Sequence, residues 1–151
     1  MRHTRDEVVE RTVREFDRLD GLVGRLRPGD WERRVPRPEG RDPWTVKDAL
    51  VHIVWWKEHT TRVIRGQRRP PEFRGLEVPE INRLVYERWR DRLPDRVVEW
   101  HRRVHEDALR ALAETPEEWF GRRQRSPGWP ADFEGHSAGH RVRDIETAFA
   151  S

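Results

Sequence analysis

The sequence predicts an all-α fold: an up-down four-helix bundle with long connecting loops, forming a single domain over residues 1–151. Three observations carry this. Apolar residues recur at spacings of three and four in four separate stretches. Helix-start and helix-stop residues bracket each stretch. No stretch alternates apolar and polar residues over the length of a strand. The composition is polar, with 34% hydrophobic and 39% charged residues. Eight tryptophans offset that balance, since each can bury about 150–250 Å².

The first helix is expected over residues 4–26. Thr4 and Glu7 form a capping-box pattern, and Val9, Val13, Phe16, Leu19, Val23 and Leu26 make its apolar stripe. Arg27-Pro28-Gly29-Asp30 stops it, and Pro36, Pro38, Gly40 and Pro43 mark the loop that follows, with Trp31 expected to plug one end of the core. Helix two is expected over residues 45–65. Thr45 and Asp48 repeat the capping box, Leu50, Ile53 and Val54 define the buried stripe, and Ala49, His52, Trp56 and Val63 extend it. Gly66 and Pro70-Pro71 end it. Pro79 suits the first turn of a short extra helix carrying Ile81, Val85 and Trp89. The third long helix is expected over residues 95–113, with Val97, Val98, His101, Val104, Ala108, Leu109 and Leu112 inward. Thr115-Pro116-Glu117-Glu118 starts one further turn, and residues 121–130 form a loop. The last helix is expected over residues 132–150, with Phe133, His136, His140, Val142, Ile145 and Phe149 as its less polar side.

The first ten residues hold no apolar run, which argues against a signal peptide, and no segment is apolar enough to span a membrane. The chain has no cysteine, hence no disulfide and no thiolate nucleophile or ligand. A cytoplasmic location is expected. Net charge is only +3 although the sequence pI is about 10.1, because the basic residues are nearly all arginine and acids are interleaved with them. Arg62, Arg65, Arg68, Arg69 and Arg74 form one basic cluster, and Arg122, Arg123 and Arg125 near Trp129 form another. Glu72, Glu77, Glu117 and Glu118 dilute both, which argues against nucleic acid as a partner. Bundle faces can pair into a homodimer, and nothing in the sequence selects one.

His52 lies on the buried stripe of helix two, where an imidazole needs partners for both ring nitrogens. Residues four apart on a helix share a face, about 6 Å apart along the axis. His136/His140 or His140/Asp144 can therefore point at one ion, with His52 as the third ligand from a facing helix. Three such ligands with an open position for water or a substrate thiolate suit catalytic zinc, and nickel, iron or manganese as well. If His136 is the ligand, Asp144 can orient an imidazole. His101/His105 is a second pair at the same spacing, expected to be coincidental. Trp55 and Trp56 diverge by about 100° on the helix, so one packs inside and the other can wall a pocket. Asn82 opens the short helix, where it can cap or bind a ligand. No P-loop, dinucleotide fingerprint or His-Glu-x-x-His motif is present.

Trp44-Thr45-Val46-Lys47-Asp48 leading to His52, the Trp55-Trp56 pair, Glu80-Ile81-Asn82 and the stretch Ser137 to Ile145 around Ala138-Gly139-His140 together resemble the DinB/YfiT-like superfamily, and its ClbS/DfsB subgroup in particular. The resemblance covers nearly the whole chain in order of elements. It implies a pocket at one end of the bundle and, in many members, a divalent metal held by one histidine on helix two and two on the last helix. His52 and His140 match two of those positions. The third falls on Asp144, where the pattern has histidine, and His136 is the alternative third ligand. The implied function is metal-assisted hydrolysis or thiol transfer on a small-molecule substrate at a pocket between helices two and four. The alternative is a metal-free detoxifying hydrolase or small-molecule binding protein of the ClbS type, using Trp55, Trp56 and Asn82.

Overall fold

The computed structural model describes residues 3–38, 40–122 and 130–149. Arg123, Arg125 and Trp129 of the second basic cluster lie outside the described residues. Among the described residues six α-helices run in order: α1 (Arg5–Gly24), α2 (Val46–Ile64), the short extra α3 (Val78–Trp89), α4 (Pro94–Glu114), the single turn α5 (Glu117–Phe120) and α6 (Gly135–His140). Beyond α6 the chain continues as a π-helical segment, Arg141–Glu146. They pack as an up-down bundle, and the described residues contain no strand, only an isolated antiparallel bridge between Arg34 and Thr45. No helix among them is long and apolar enough to cross a membrane.

The expected caps are present. The Thr4 side chain accepts from Glu7 N at the start of α1. At the start of α2, Thr45 Oγ1 accepts from Asp48 N at 3.3 Å while Asp48 Oδ2 accepts from Thr45 N at 2.9 Å. Pro79 lies in the first turn of α3, where its missing N–H costs nothing. Lys47 Nζ donates to the carbonyls of Arg90 and Arg92 at 2.7 Å each, a cation at the negative end of α3.

α2 is the central element. Every residue from Val46 to Trp55 is buried, because α3, α4, α6 and the π segment all pack on it. Trp31 is buried as a plug, and Trp89 stacks on Trp100 at 4.1 Å. A smaller cluster at the other end joins Val8, Ala108, Leu112, Phe120 and Phe133.

Three expected faces are rotated. In the first half of α1 the buried positions are Val8, Thr12 and Glu15 rather than Val9, Val13 and Phe16, which are partly exposed, while Leu19 and Val23 are buried as expected. The cause is an internal ion pair: Arg141 Nε lies 3.0 Å from both Glu15 carboxylate oxygens and its Nη2 2.8 Å from Oε1, with Ser137 Oγ donating to Oε2 at 2.9 Å. Val63 on α2 is exposed because the packed side there runs through buried Thr61 and through Ile64, which lies on the smaller cluster. Val142 is exposed because the wider π turn shifts the phase, burying Arg141 and Asp144 instead, while Ile145 is buried as expected.

Candidate metal centre

Two helix starts aim the site. The capping box at Thr45 fixes where α2 begins, so His52 comes two turns later on the side facing α6. At α6, Asp132 Oδ1 accepts from Gly135 N at 2.6 Å. A Cβ on residue 135 would collide with that carboxylate, so glycine permits the close approach. His136 and His140 then follow one turn apart on the face that meets α2.

The three imidazoles converge. His52 Nε2 lies 3.1 Å from His136 Nε2 and 3.1 Å from His140 Nε2. One nitrogen from each ring lies within 4.8 Å of the others, forming a cluster able to coordinate a metal ion. Tetrahedral metal–nitrogen bonds of about 2.0–2.1 Å would hold their nitrogens about 3.3 Å apart, close to the spacing found. The protonation state also fits. Burial, then the neighbouring imidazoles, push His52 down to about 2. Burial followed by His140 lowers His136 to about 4. Both are neutral ligands at neutral pH. Asp144 Oδ2 lies 2.7 Å from His140 Nδ1. A carboxylate there accepts the Nδ1 proton and leaves the Nε2 lone pair facing the centre. Asp144 thus stands behind the His140 ring, and His136 stands at the converging position.

The cluster opens into a pocket of about 530 Å³ lined also by Arg37, Asp42, Trp44, Trp56, Asn82 and Arg83. The Trp44 ring lies 4.8 Å from the His52 ring, and the Arg37 guanidinium covers Trp44 at 3.7 Å. Trp56 Nε1 donates to Asn82 Oδ1 at 2.9 Å, tying α2 to α3 across the wall. Trp55 turns away and packs on Phe73 and His59. Arg37 and Trp44 have no periodicity to announce them, since both lie in the proline-broken loop before α2. Position beside a cap was the one available signal for Trp44.

The second histidine pair is buried elsewhere. His101 and His105 stack on Phe16 at 4.9 and 3.6 Å. Lys57 Nζ lies 3.0 Å from His105 Nδ1, and His101 Nε2 lies 3.2 Å from Asp20 Oδ1.

A family model described as the mycothiol maleylpyruvate isomerase N-terminal domain matches residues 13–147. No curated protein sequence matches. Among solved structures, an uncharacterised protein from Escherichia coli UTI89 is similar with a TM-score of 0.76 at 12% identity, covering 95% of this chain and 91% of that one. The colibactin self-resistance protein ClbS, in complex with double-stranded DNA, is similar with a TM-score of 0.69 at 9% identity, covering 97% and 94%. At these identities the likeness is one of fold, and the fold is DinB-like with ClbS among its relatives. The ClbS complex overturns the expectation against nucleic acid, because a bundle of this fold is seen on a DNA duplex. Folding regroups charges that are distant in sequence: Arg62, Arg88, Arg92 and Arg103 come from three parts of the chain to line one groove with Trp55, Trp89 and Trp100, where Glu58 and Glu72 pair with Arg62 and Arg88. The family model spans nearly the whole helical chain, and the protein belongs to the mycothiol maleylpyruvate isomerase N-terminal domain family.

Proposed function

We propose that the protein is an enzyme acting on a small molecule by metal-assisted hydrolysis or thiol transfer, with His52, His136 and His140 as ligands of zinc or nickel. The observation behind this reading is the convergence of three imidazole nitrogens at the floor of an open pocket. A divalent ion held there would supply Lewis acidity toward the pocket. Asp144 holds the His140 ring in its ligating tautomer. Trp44 and Trp56 exclude water from one side of the cluster. Asn82, its carbonyl engaged by Trp56, keeps its amide N–H groups for a bound molecule. Arg37 and Arg83 add cationic donors at the mouth. The family description names a mycothiol enzyme, which favours the thiol-transfer arm.

Metal analysis of untagged protein tests this reading. Near-stoichiometric zinc or nickel, lost in His140→Ala, is the expected result. A folded protein that stays metal-free after equilibration with either ion would overturn it and leave the metal-free ClbS-like hydrolase or binding protein.

A second reading has one observation in its favour. The groove of Arg62, Arg88, Arg92 and Arg103 is flanked by tryptophans and spans about 380 Å³, and ClbS is a fold relative with DNA bound. Duplex binding that weakens steeply with salt and is lost in a double Arg92→Ala, Arg103→Ala variant would support it.

A further inference from the structure

All but two of the 31 Lys and Arg residues are arginine, and the two lysines, Lys47 and Lys57, both face inward roles. Lys47 is accounted for by the two carbonyls at the end of α3. Lys57 is not. Among the described residues its amine has one hydrogen-bond partner, His105 Nδ1 at 3.0 Å, where an ammonium would donate three bonds. The Phe16 ring lies 5.1 Å from Nζ, and the Glu15 carboxylate that acts on the amine is itself bonded to Arg141. The residue as a whole is partly exposed, while its amine end is deep enough that burial, opposed only by the Glu15 charge, lowers its pKa to about 7. Lys57 also lines a chamber of about 170 Å³ with Ile53, Thr60, Phe133, His136, Ser137 and Asp132, whose carboxylate Oδ1 is engaged by Gly135 N. That is the room of roughly five or six waters at about 30 Å³ each, enough for a molecule of a few heavy atoms.

We infer that Lys57 is a covalent-capture site for small aldehydes and ketones, which it binds as a Schiff base in the chamber beside the histidine cluster. The inference is independent of any metal. His105 Nδ1 accepts one amine N–H and leaves the nitrogen lone pair free. The lone pair attacks the carbonyl carbon, the C–N bond forms and the C=O π pair moves to oxygen. The nitrogen proton moves by way of His105 to that oxygen. The nitrogen then loses its second proton and the C–O bond breaks, releasing water and leaving C=N.

The test is reductive trapping of the full chain at pH 7.5 with propionaldehyde and cyanoborohydride, followed by peptide mapping. In the native protein Lys57 should be alkylated at least about tenfold faster than in the guanidinium-unfolded chain, where an ordinary lysine is almost wholly protonated. Lys47 should react more slowly when folded than when unfolded. The bulkier 2-naphthaldehyde should label the N-terminal amine but leave native Lys57 untouched. Labelling of native Lys57 no faster than in the unfolded chain, or equal labelling by the two aldehydes, would overturn the proposal. The comparison needs no variant, so it does not depend on one folding.

Discussion

Two histidine pairs at the same helical spacing lie in this bundle, and they are built for opposite ends. His136/His140 and His101/His105 each meet a third group from α2, His52 in one case and Lys57 in the other. In the first set the nitrogens converge on one another and face an open pocket. In the second the His105 ring lies flat on Phe16, at 3° between planes, and the nitrogens part: His105 Nδ1 to Lys57, His101 Nε2 to Asp20. Spacing on one helix therefore does not make a ligand set. What crosses from the facing helix, and whether an aromatic ring occupies the gap, decides it.

The sharpest way to break this contrast is to remove one ring from each set. His140→Ala should abolish stoichiometric metal binding, while His101→Phe should leave it intact, both read by metal analysis of folded protein. Equal metal content in the two variants would erase the distinction.

Next in size is the tie between the regions. Glu15 on α1 and Arg141 behind α6 form a buried, multiply bonded pair. Glu15→Ala leaves a buried guanidinium short of its main partner and should cost about 3–5 kcal/mol in chemical denaturation. Replacing both partners with apolar residues should cost much less.

Asp144→Asn sharpens the first site. It keeps the shape but removes the carboxylate that orients His140, and should weaken metal affinity by about 10–100-fold in a competition titration. The fold should be unaffected.

The last effect is one of pH, and the depressed imidazoles of both sets, His52 and His136 as well as His101 and His105, share it. Burial holds His101 at about 4 and His105 at about 3, against 6.5 in the unfolded chain. As pH falls below 6.5 the unfolded chain takes up protons first, so stability is full above 6.5 and is lost on the way down to those values. Lys57 moves from 10.5 to about 7 on folding, so it adds stability as pH rises from 7 toward 10.5. Melting temperature should therefore drop by a few degrees between pH 6.5 and 5, at about 2–4 °C per kcal/mol for a chain of this size. It should rise between pH 7 and 9. Lys57→Met should flatten the alkaline part and also lessen the acid part, because the Lys57 charge adds to burial in holding His101 and His105 down.

The fold was legible at its helix starts. Thr4 and Thr45 are caps because a hydroxyl three residues before an acid satisfies end N–H groups locally, and Pro79 and Gly66 punctuate by their own backbone limits. The stripe of α2 was legible because an element packed on several sides repeats apolar residues densely. The stripe of α1 was legible at Leu19 and Val23 but not in its first half, where Glu15 is buried against Arg141, well over a hundred residues later. The phase of the last helix was hidden for a related reason: nothing in Arg141–Glu146 announces a π turn, which here carries three buried side chains of mixed polarity.

The candidate site divides the same way. His52, His136, His140 and Asp144 are named by residue type and spacing alone, together with the alternative between His136 and Asp144. Arg37, Trp44 and Arg83 join the pocket through loop and helix geometry that no periodicity encodes.

The sequence by itself determined the helices, their caps and the short list of imidazoles and carboxylates, because those depend on neighbours within one or two turns. Only the tertiary structure decided which nitrogens meet and that Asp144 faces the His140 ring. It also decided that one histidine pair is held against Phe16 and Lys57. Each of those outcomes depends on the rotation of one helix against another. That rotation is set by packing and by one long-range ion pair rather than by any local pattern.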